Sequence, residues 1–245
     1  MGLNVIYVFT NYLFTIYLHN ISMTTSRTIV VGDIHGCFEE LLSLLSLINF
    51  HDNDELISIG DLVDRGPHPK EVISFFMNTT NAHAIMGNHE DKHIRIFDGE
   101  LEPSYSQEIC TVQLGSFYEE SIEYMRTLPL YLRRQNFWLV HAGFLPNIHP
   151  KNLPKNTLLR GRMPWMKSSY DKSFGGWWKH YRGIDPVVYG HTVFHDVHVE
   201  NNTYGLDTGV CHGQRLSAMI LEDRTFVQVE ADQDHWKNIR ETFSL

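Results

Sequence analysis

Five times along this chain a short apolar run stops at a small cluster of glycine and polar residues. Residues 28–31 run into Gly32-Asp33-Ile34-His35-Gly36, and residues 56–59 into Gly60-Asp61-Leu62-Val63-Asp64-Arg65-Gly66. Residues 82–86 run into Gly87-Asn88-His89-Glu90, residues 137–140 into His141-Ala142-Gly143, and residues 187–189 into Gly190-His191-Thr192. Apolar runs of this length, closed by Gly, Asp or Asn, are strand signals. Helical patterns separate the first three. Residues 38–50 carry Leu41, Leu42, Leu44, Leu45, Leu47 and Ile48, and residues 69–77 open on Pro69 and bring Val72, Ile73, Phe75 and Phe76 to the inside. The order β-α-β-α-β implies a parallel sheet with right-handed crossovers. In such sheets the carboxyl ends of the strands open on one crevice, so residues distant in sequence meet there.

The remaining chain is less sharply patterned. Residues 91–134 read as helical, with a loop near residues 99–106. Residues 146–186 hold Pro146, Pro150, Pro154, Pro164 and Pro186 and read as loop-rich. Short strands are expected at residues 197–199, 203–206, 216–221 and 225–229. One mixed α/β domain over residues 27–245 is the simplest organisation, preceded by an apolar extension, residues 1–26. Within that extension residues 3–21 are strongly apolar but contain Asn4, Asn11, His19 and Asn20, with no basic residue before Arg27. That run lacks the basic start of a signal peptide and the clean apolar length of a membrane helix. The favoured reading takes Met23 as the start of the native chain, with a membrane anchor as the alternative, and a cytoplasmic location is expected.

Composition removes several function classes. The net charge is −9 and no Lys/Arg-rich run occurs, which argues against nucleic acid as a partner. The three cysteines, Cys37, Cys110 and Cys211, are widely spaced and odd in number, as in a reducing compartment rather than a disulfide framework. A cysteine-dependent phosphatase needs an Arg six residues after its nucleophile; Ser43, Ser116 and Ser217 stand there instead. The Gly-Lys-[Ser/Thr] end of a P-loop is also absent from the sequence. Fifteen histidines are present, and histidine is both a metal ligand and an acid/base at neutral pH.

Asp33, His35, Asp61, Asn88, His141 and His191 would bring three oxygen donors and three imidazoles to the strand ends. Such a set suits divalent Mn, Fe or Zn. Two carboxylates in one crevice repel unless a cation lies between them, and Asp61, central in the order, is placed to bridge two. A pair of ions about 3.5–4 Å apart clamps a phosphate and activates a water. A single Asp after a strand is ordinarily a turn or helix cap; five such clusters in one order are not.

The motifs in this order resemble those of the phosphoprotein phosphatase family of calcineurin-like metallophosphoesterases, over roughly residues 27–221. The resemblance implies a β-sandwich flanked by helices, in α-β-β-α layers, and two divalent metal ions, manganese preferred. By position, Asp33, His35 and Asp61 resemble the ligands of the first ion, and Asp61, Asn88, His141 and His191 those of the second. The family's mechanism is attack by a hydroxide held between the ions. His89 then corresponds to the general acid and Asp64 to the group that orients it. Arg65, Asn88 and a second arginine, Arg160 in preference to Arg162, correspond to the phosphate-binding groups. His93 is read as supporting the site at most, Asp207-Thr208-Gly209 as structural, and Cys37, Trp165, Trp177 and Trp178 as packing.

Two substrate classes share such a site. Asp64 within Gly-Asp-Leu-Val-Asp-Arg-Gly resembles the protein phosphatases, so a serine/threonine protein phosphatase acting on phosphoproteins is the first expectation. Gly66-Pro67, the chain length and the stretch from Trp177 to Thr192 also resemble small bacterial members, some of which are bis(5'-nucleosyl)-tetraphosphatases cleaving dinucleoside polyphosphates. A reading from another class, a non-catalytic phosphate-binding module, sits poorly with a chain in which every motif position is filled.

Overall fold

A computed structural model of the chain describes residues 26–163 and 175–243. The apolar N-terminal run and Trp165 lie outside the described residues. Two five-stranded sheets pack face to face. The first has the order β10 (Thr225–Glu230), β9 (Arg215–Ile220), β1 (Thr28–Val31), β2 (Glu55–Ser58), β3 (Ala82–Ala84). The second runs β4 (Tyr131–Arg134), β5 (Phe137–Val140), β6 (Val187–Tyr189), β8 (Thr203–Gly205), β7 (His198–Glu200). Strands β1, β2 and β3 are parallel, as are β5, β6 and β8.

The period-two alternation of a strand explains the layering. Val30, Ile57, Phe137, Leu139, Val188 and Met219 point into one buried cluster between the sheets. Their neighbours Ile29, Val31, Leu56, Leu216 and Ala218 face a second cluster under the helices. Both faces are covered, so the strands read as continuous apolar runs. Helices α1 (Phe38–Ile48), α2 (Pro69–Asn78), α4 (Tyr105–Leu114) and α5 (Tyr118–Thr127) supply that outer layer. Helix α1 buries Leu41, Leu44, Leu45 and Ile48, a stripe at helical spacing, and stops where Asn49 turns left-handed at φ 53°. The opposite outer face is thinner. Among the described residues it includes α6 (Lys155–Arg160) and the short turn Trp177–His180, with Trp177 and Tyr181 buried as core, the role expected for Trp177.

Two elements depart from the sequence expectation. The segment read as helical up to residue 134 ends in β4, an edge strand paired antiparallel with β5 through a two-residue turn. That turn carries Gln135 at φ 52°, where Gly or Asn is the usual signal, so the hairpin is poorly marked. The C-terminus forms a further helix, α7 (His235–Phe243). Its tether is a buried pair: His235 Nε2 donates to Glu40 Oε1 of α1 at 2.6 Å.

That tether carries a pH signature. The bond to Glu40 raises the His235 pKa above its ordinary 6.5. Burial works against Glu40, but the bond from His235 brings its pKa below 4.5. The His235 contribution is complete below pH 6.5 and is lost as pH rises through its folded value. The Glu40 contribution is complete above pH 4.5 and is lost as pH falls through its folded value. Hydrogen exchange of α7 amides should therefore be slowest between pH 4.5 and 6.5, after correction for intrinsic rates. In His235→Gln that minimum should vanish; a minimum that survives would remove the pair from this role.

Candidate active site

The loops after β1, β2, β3, β5, β6 and β8 meet at one end of the sandwich and are stitched together through their backbones. Ile34 and His35 donate to the Asp61 carbonyl at 3.1 and 2.8 Å, Gly36 donates to the Leu62 carbonyl at 2.8 Å, and Gly190 donates to the His141 carbonyl at 2.8 Å. Glu90, the third residue of α3 (Asn88–Phe97), accepts from the N–H groups of Gly87, Asp61 and Leu62 at 2.8–2.9 Å. It thereby caps the helix and fixes the β2 loop with one carboxylate. The sequence reading gave Glu90 no role, although a Glu at that position of a helix start is a capping signal.

His35, Asp61, Asp64, Arg65 and His191 all hold positive φ, between 48 and 70°. Each costs about 1–2 kcal/mol in a non-glycine residue and persists only where the surroundings impose it. Close approach is needed too. A Cβ on Gly190 would lie 2.0 Å from Asp33 Oδ1, and one on Gly87 would lie 2.2 Å from Asp61 Oδ1.

Asp61 is the centre of the cluster. Its Oδ1 accepts from the His89 N–H at 2.9 Å and lies 3.4 Å from His141 Nε2. Its Oδ2 is 3.8 Å from both His35 Nε2 and His89 Nε2. Asp61, His141 and His191 offer ligand atoms within 4.8 Å of one another, as do His35, Asp61 and His89. His191 donates its N–H to both Asp33 oxygens at 3.1 and 3.2 Å, which places Asp33 beside it. Burial, then the charges of Asp207 and Asp61, hold the Asp33 carboxyl well above its ordinary pKa. Burial foremost brings Asp207 up to about 6. Asp207 was read as structural, yet the loop after β8 sets it against Asp33.

Behind His89, its Nδ1 donates to Asp64, which also accepts from His93 Nε2 at 3.0 Å and from Gln107 Nε2. Burial opposes ionisation of Asp64, but the His89 and His93 bonds hold its pKa well below the usual range. His93 thus touches the site at one remove, as expected. Gln107 carried no signal, because it comes from α4, a helix with no motif. Arg65 donates to His35 Nε2 at 2.9 Å. Arg160 forms an ion pair with Asp91 at 2.7 Å, and its charge reaches His141 and His191. Lys92, half-buried, has its pKa lowered first by burial, while Asp64 and Asp61 pull it upward. The sequence reading passed over Lys92. The cluster therefore brings together all the residues expected there, with Arg160 at its rim.

The donor chemistry fits a divalent cation. His35 Nδ1 donates to the Val63 carbonyl at 2.8 Å and His141 Nδ1 to the Ile59 carbonyl at 2.9 Å, which turns the lone pair of each Nε2 into the cluster. Burial foremost lowers the pKa of both rings, the direction that favours the neutral, metal-binding form. His141 Nε2 then faces Asn88 Oδ1 at 3.0 Å, lone pair towards lone pair, an arrangement that suits two ligands of one ion. The 3.4 Å between Asp61 Oδ1 and His141 Nε2 is a separation that two ligands of one ion can share. Arg65 must leave His35 Nε2 for that nitrogen to bind a metal.

Residues 26–226, most of the chain, match the model of the calcineurin-like phosphoesterase family. The chain belongs to the calcineurin-like phosphoesterases. Members of this metallophosphoesterase family use a dinuclear metal centre and hydrolyse phosphoric esters, and this one is a hydrolase of that class. It is 30% identical over 230 residues to bis(5'-nucleosyl)-tetraphosphatase PrpE [asymmetrical] of Oceanobacillus iheyensis, covering 83% of this chain and 92% of that one. A crystal structure of a candidate diadenosine tetraphosphatase superposes with a TM-score of 0.70 at 25% identity, covering 85% of this chain and 95% of the other. A protein serine/threonine phosphatase from Saccharomyces cerevisiae shares the fold, with a TM-score of 0.57 at 17% identity over 86% of this chain and 81% of that one. No helix among the described residues of this calcineurin-like phosphoesterase is long and apolar enough to cross a membrane.

Proposed function

We propose that the protein hydrolyses dinucleoside polyphosphates, splitting a bis(5'-nucleosyl) tetraphosphate asymmetrically. The similarity to the Oceanobacillus enzyme carries this reading, because it spans nearly the whole of both chains. It displaces the protein phosphatase as first choice. The Asp64 motif favoured that enzyme, but the likeness to the yeast phosphatase is one of fold and says nothing of substrate.

Asp33, His35 and Asp61 would hold one divalent ion, and Asp61, Asn88, His141 and His191 the other, with manganese the first choice. Two such ions, when bound, neutralise phosphate charge and activate water. The chain's own groups do the rest. Arg65 and Arg160 grip the non-bridging oxygens of the phosphate under attack, with Asn88 assisting. Asp64, itself held by His93 and Gln107, keeps the His89 ring fixed with Nε2 towards the reacting group. Water oxygen bonds to phosphorus as the water gives up one proton to solvent, the phosphorus–oxygen bridge breaks, and His89 gives its Nε2 proton to the departing oxygen and is reprotonated from solvent.

Purified protein with Mn²⁺ should hydrolyse p-nitrophenyl phosphate and should cleave diadenosine tetraphosphate to ATP and AMP. Its kcat/KM on the dinucleotide should exceed that on a phosphothreonine peptide by on the order of a hundredfold. Chromatography of the nucleotides checks the products. Two molecules of ADP would overturn the asymmetry, and preference for the peptide would restore the protein phosphatase.

A further inference from the structure

In a chain of net charge −9, four cationic side chains gather around the candidate site: Arg65, Lys92, Lys155 and Arg160. Two of them share one anion. Lys155 Nζ binds Asp91 Oδ1 and Arg160 Nη2 binds Asp91 Oδ2, each at 2.7 Å. Asp91 is buried on α3, two residues beyond His89, while Lys155 and Arg160 bracket α6. Two cations on one carboxylate leave a positive charge in excess. Lys92 adds another, half-buried on the next position of α3 and within electrostatic reach of Asp61, Asp64, Arg65 and Arg160.

The clasp faces a hollow of about 580 Å³ between α3 and α6, lined among others by Asp91, Ile94, Arg95, Pro154, Lys155 and Arg160. On its far wall the charges cancel: Arg95 pairs with Glu100 at 3.5 Å, and Asp98 with Arg126 at 2.6 Å. The unbalanced positive charge therefore lies on the side nearest the catalytic cluster. Lys155 leaves 53% of its side chain exposed, against 18% for Arg160, so its ammonium can turn to a ligand at little cost.

We propose that Lys155, with Lys92, forms a distal subsite for the phosphates of a dinucleoside polyphosphate beyond the one that Arg160 grips. The proposal rests on the tetraphosphatase reading above. A monoester offers one phosphate, which Arg65, Arg160 and the metal ligands can satisfy. Each further phosphate brings about one more negative charge and needs its own counter-charge. Asp91 fills that need when the hollow is empty, and it keeps the two cations pre-positioned, so that little side-chain freedom is lost on binding.

The test compares substrates in Lys155→Ala, a substitution at a half-exposed position. The ratio of kcat/KM on diadenosine tetraphosphate to that on p-nitrophenyl phosphate should fall about tenfold, mainly through KM. Lys155→Arg should restore most of it. The loss should also grow along the series diadenosine di-, tri- and tetraphosphate. An equal loss on both substrates, or no loss on the dinucleotide, overturns the subsite while leaving the tetraphosphatase reading intact. If the parent enzyme hydrolyses p-nitrophenyl phosphate but not diadenosine tetraphosphate, the functional reading fails, and the subsite with it.

Discussion

Asp61→Asn is expected to lower kcat/KM on the order of ten-thousandfold and to strip at least one of two metal ions from the purified protein. The substitution keeps the shape of the side chain and removes only its charge. That charge is central, since Asp61 is the only carboxylate that belongs to two of the four three-residue ligand groups among the described residues, one with His35 and His89 and one with His141 and His191. Burial opposes its ionisation, yet His141, His89, His35 and His191 together hold its pKa well below the ordinary value. An amide cannot balance the charge of two cations, and three or four imidazoles would lose their common anion. Metal analysis beside steady-state kinetics separates loss of metal from loss of fold. Exhaustive chelation of the parent protein should reproduce the kinetic loss, with recovery on adding Mn²⁺. Full activity in Asp61→Asn, or in the chelated parent, would remove the dinuclear reading.

Much of this site was legible because it is made of strand ends. A strand that enters a crevice announces itself twice, by its apolar run and by the glycine that lets it turn, and both marks precede Asp33, Asp61, Asn88 and His191. His141 lacks the glycine before it but follows four fully or nearly buried residues, Phe137 to Val140. What the sequence did not reveal lies on elements with no such punctuation. Gln107 reaches Asp64 from the middle of the chain's helical stretch, and only tertiary packing decides which face of α4 meets the site. Asp207 follows β8, a strand the sequence does mark, but no histidine or second acidic residue stands beside it in Asp207-Thr208-Gly209, so it reads as a structural turn. Lys92 and Lys155 look like ordinary solvated charges until α3 and α6 are seen side by side. The fold itself was readable on the β-α-β-α-β side. The β4 hairpin and α7 were not, because one turns on a glutamine and the other is tethered through a buried His–Glu pair that only the tertiary fold brings together.

His89→Asn should lower kcat by about 10²–10⁴-fold while both metal ions remain bound. The distinction from Asp61→Asn lies in that metal content, since His89 Nδ1 is engaged by Asp64 and, in the proposed mechanism, the ring serves the proton rather than the ions. Leaving groups make the test sharper. Phenolate departs with a conjugate-acid pKa of about 10 and needs its proton in the transition state. Phenyl phosphate should therefore suffer more from the substitution than p-nitrophenyl phosphate, whose phenolate is the better leaving group. A uniform loss across leaving groups would point to a structural role. Asp64→Asn should reproduce part of the defect, because the amide keeps one acceptor oxygen where the carboxylate offers two, so that His89 and His93 can no longer both donate to it. The double variant His89→Asn/Asp64→Asn should be no slower than His89→Asn alone, as groups that act through one proton are not additive. An additive double variant would mean that Asp64 contributes by a route that does not pass through His89, and full kcat in His89→Asn would end its assignment as the acid.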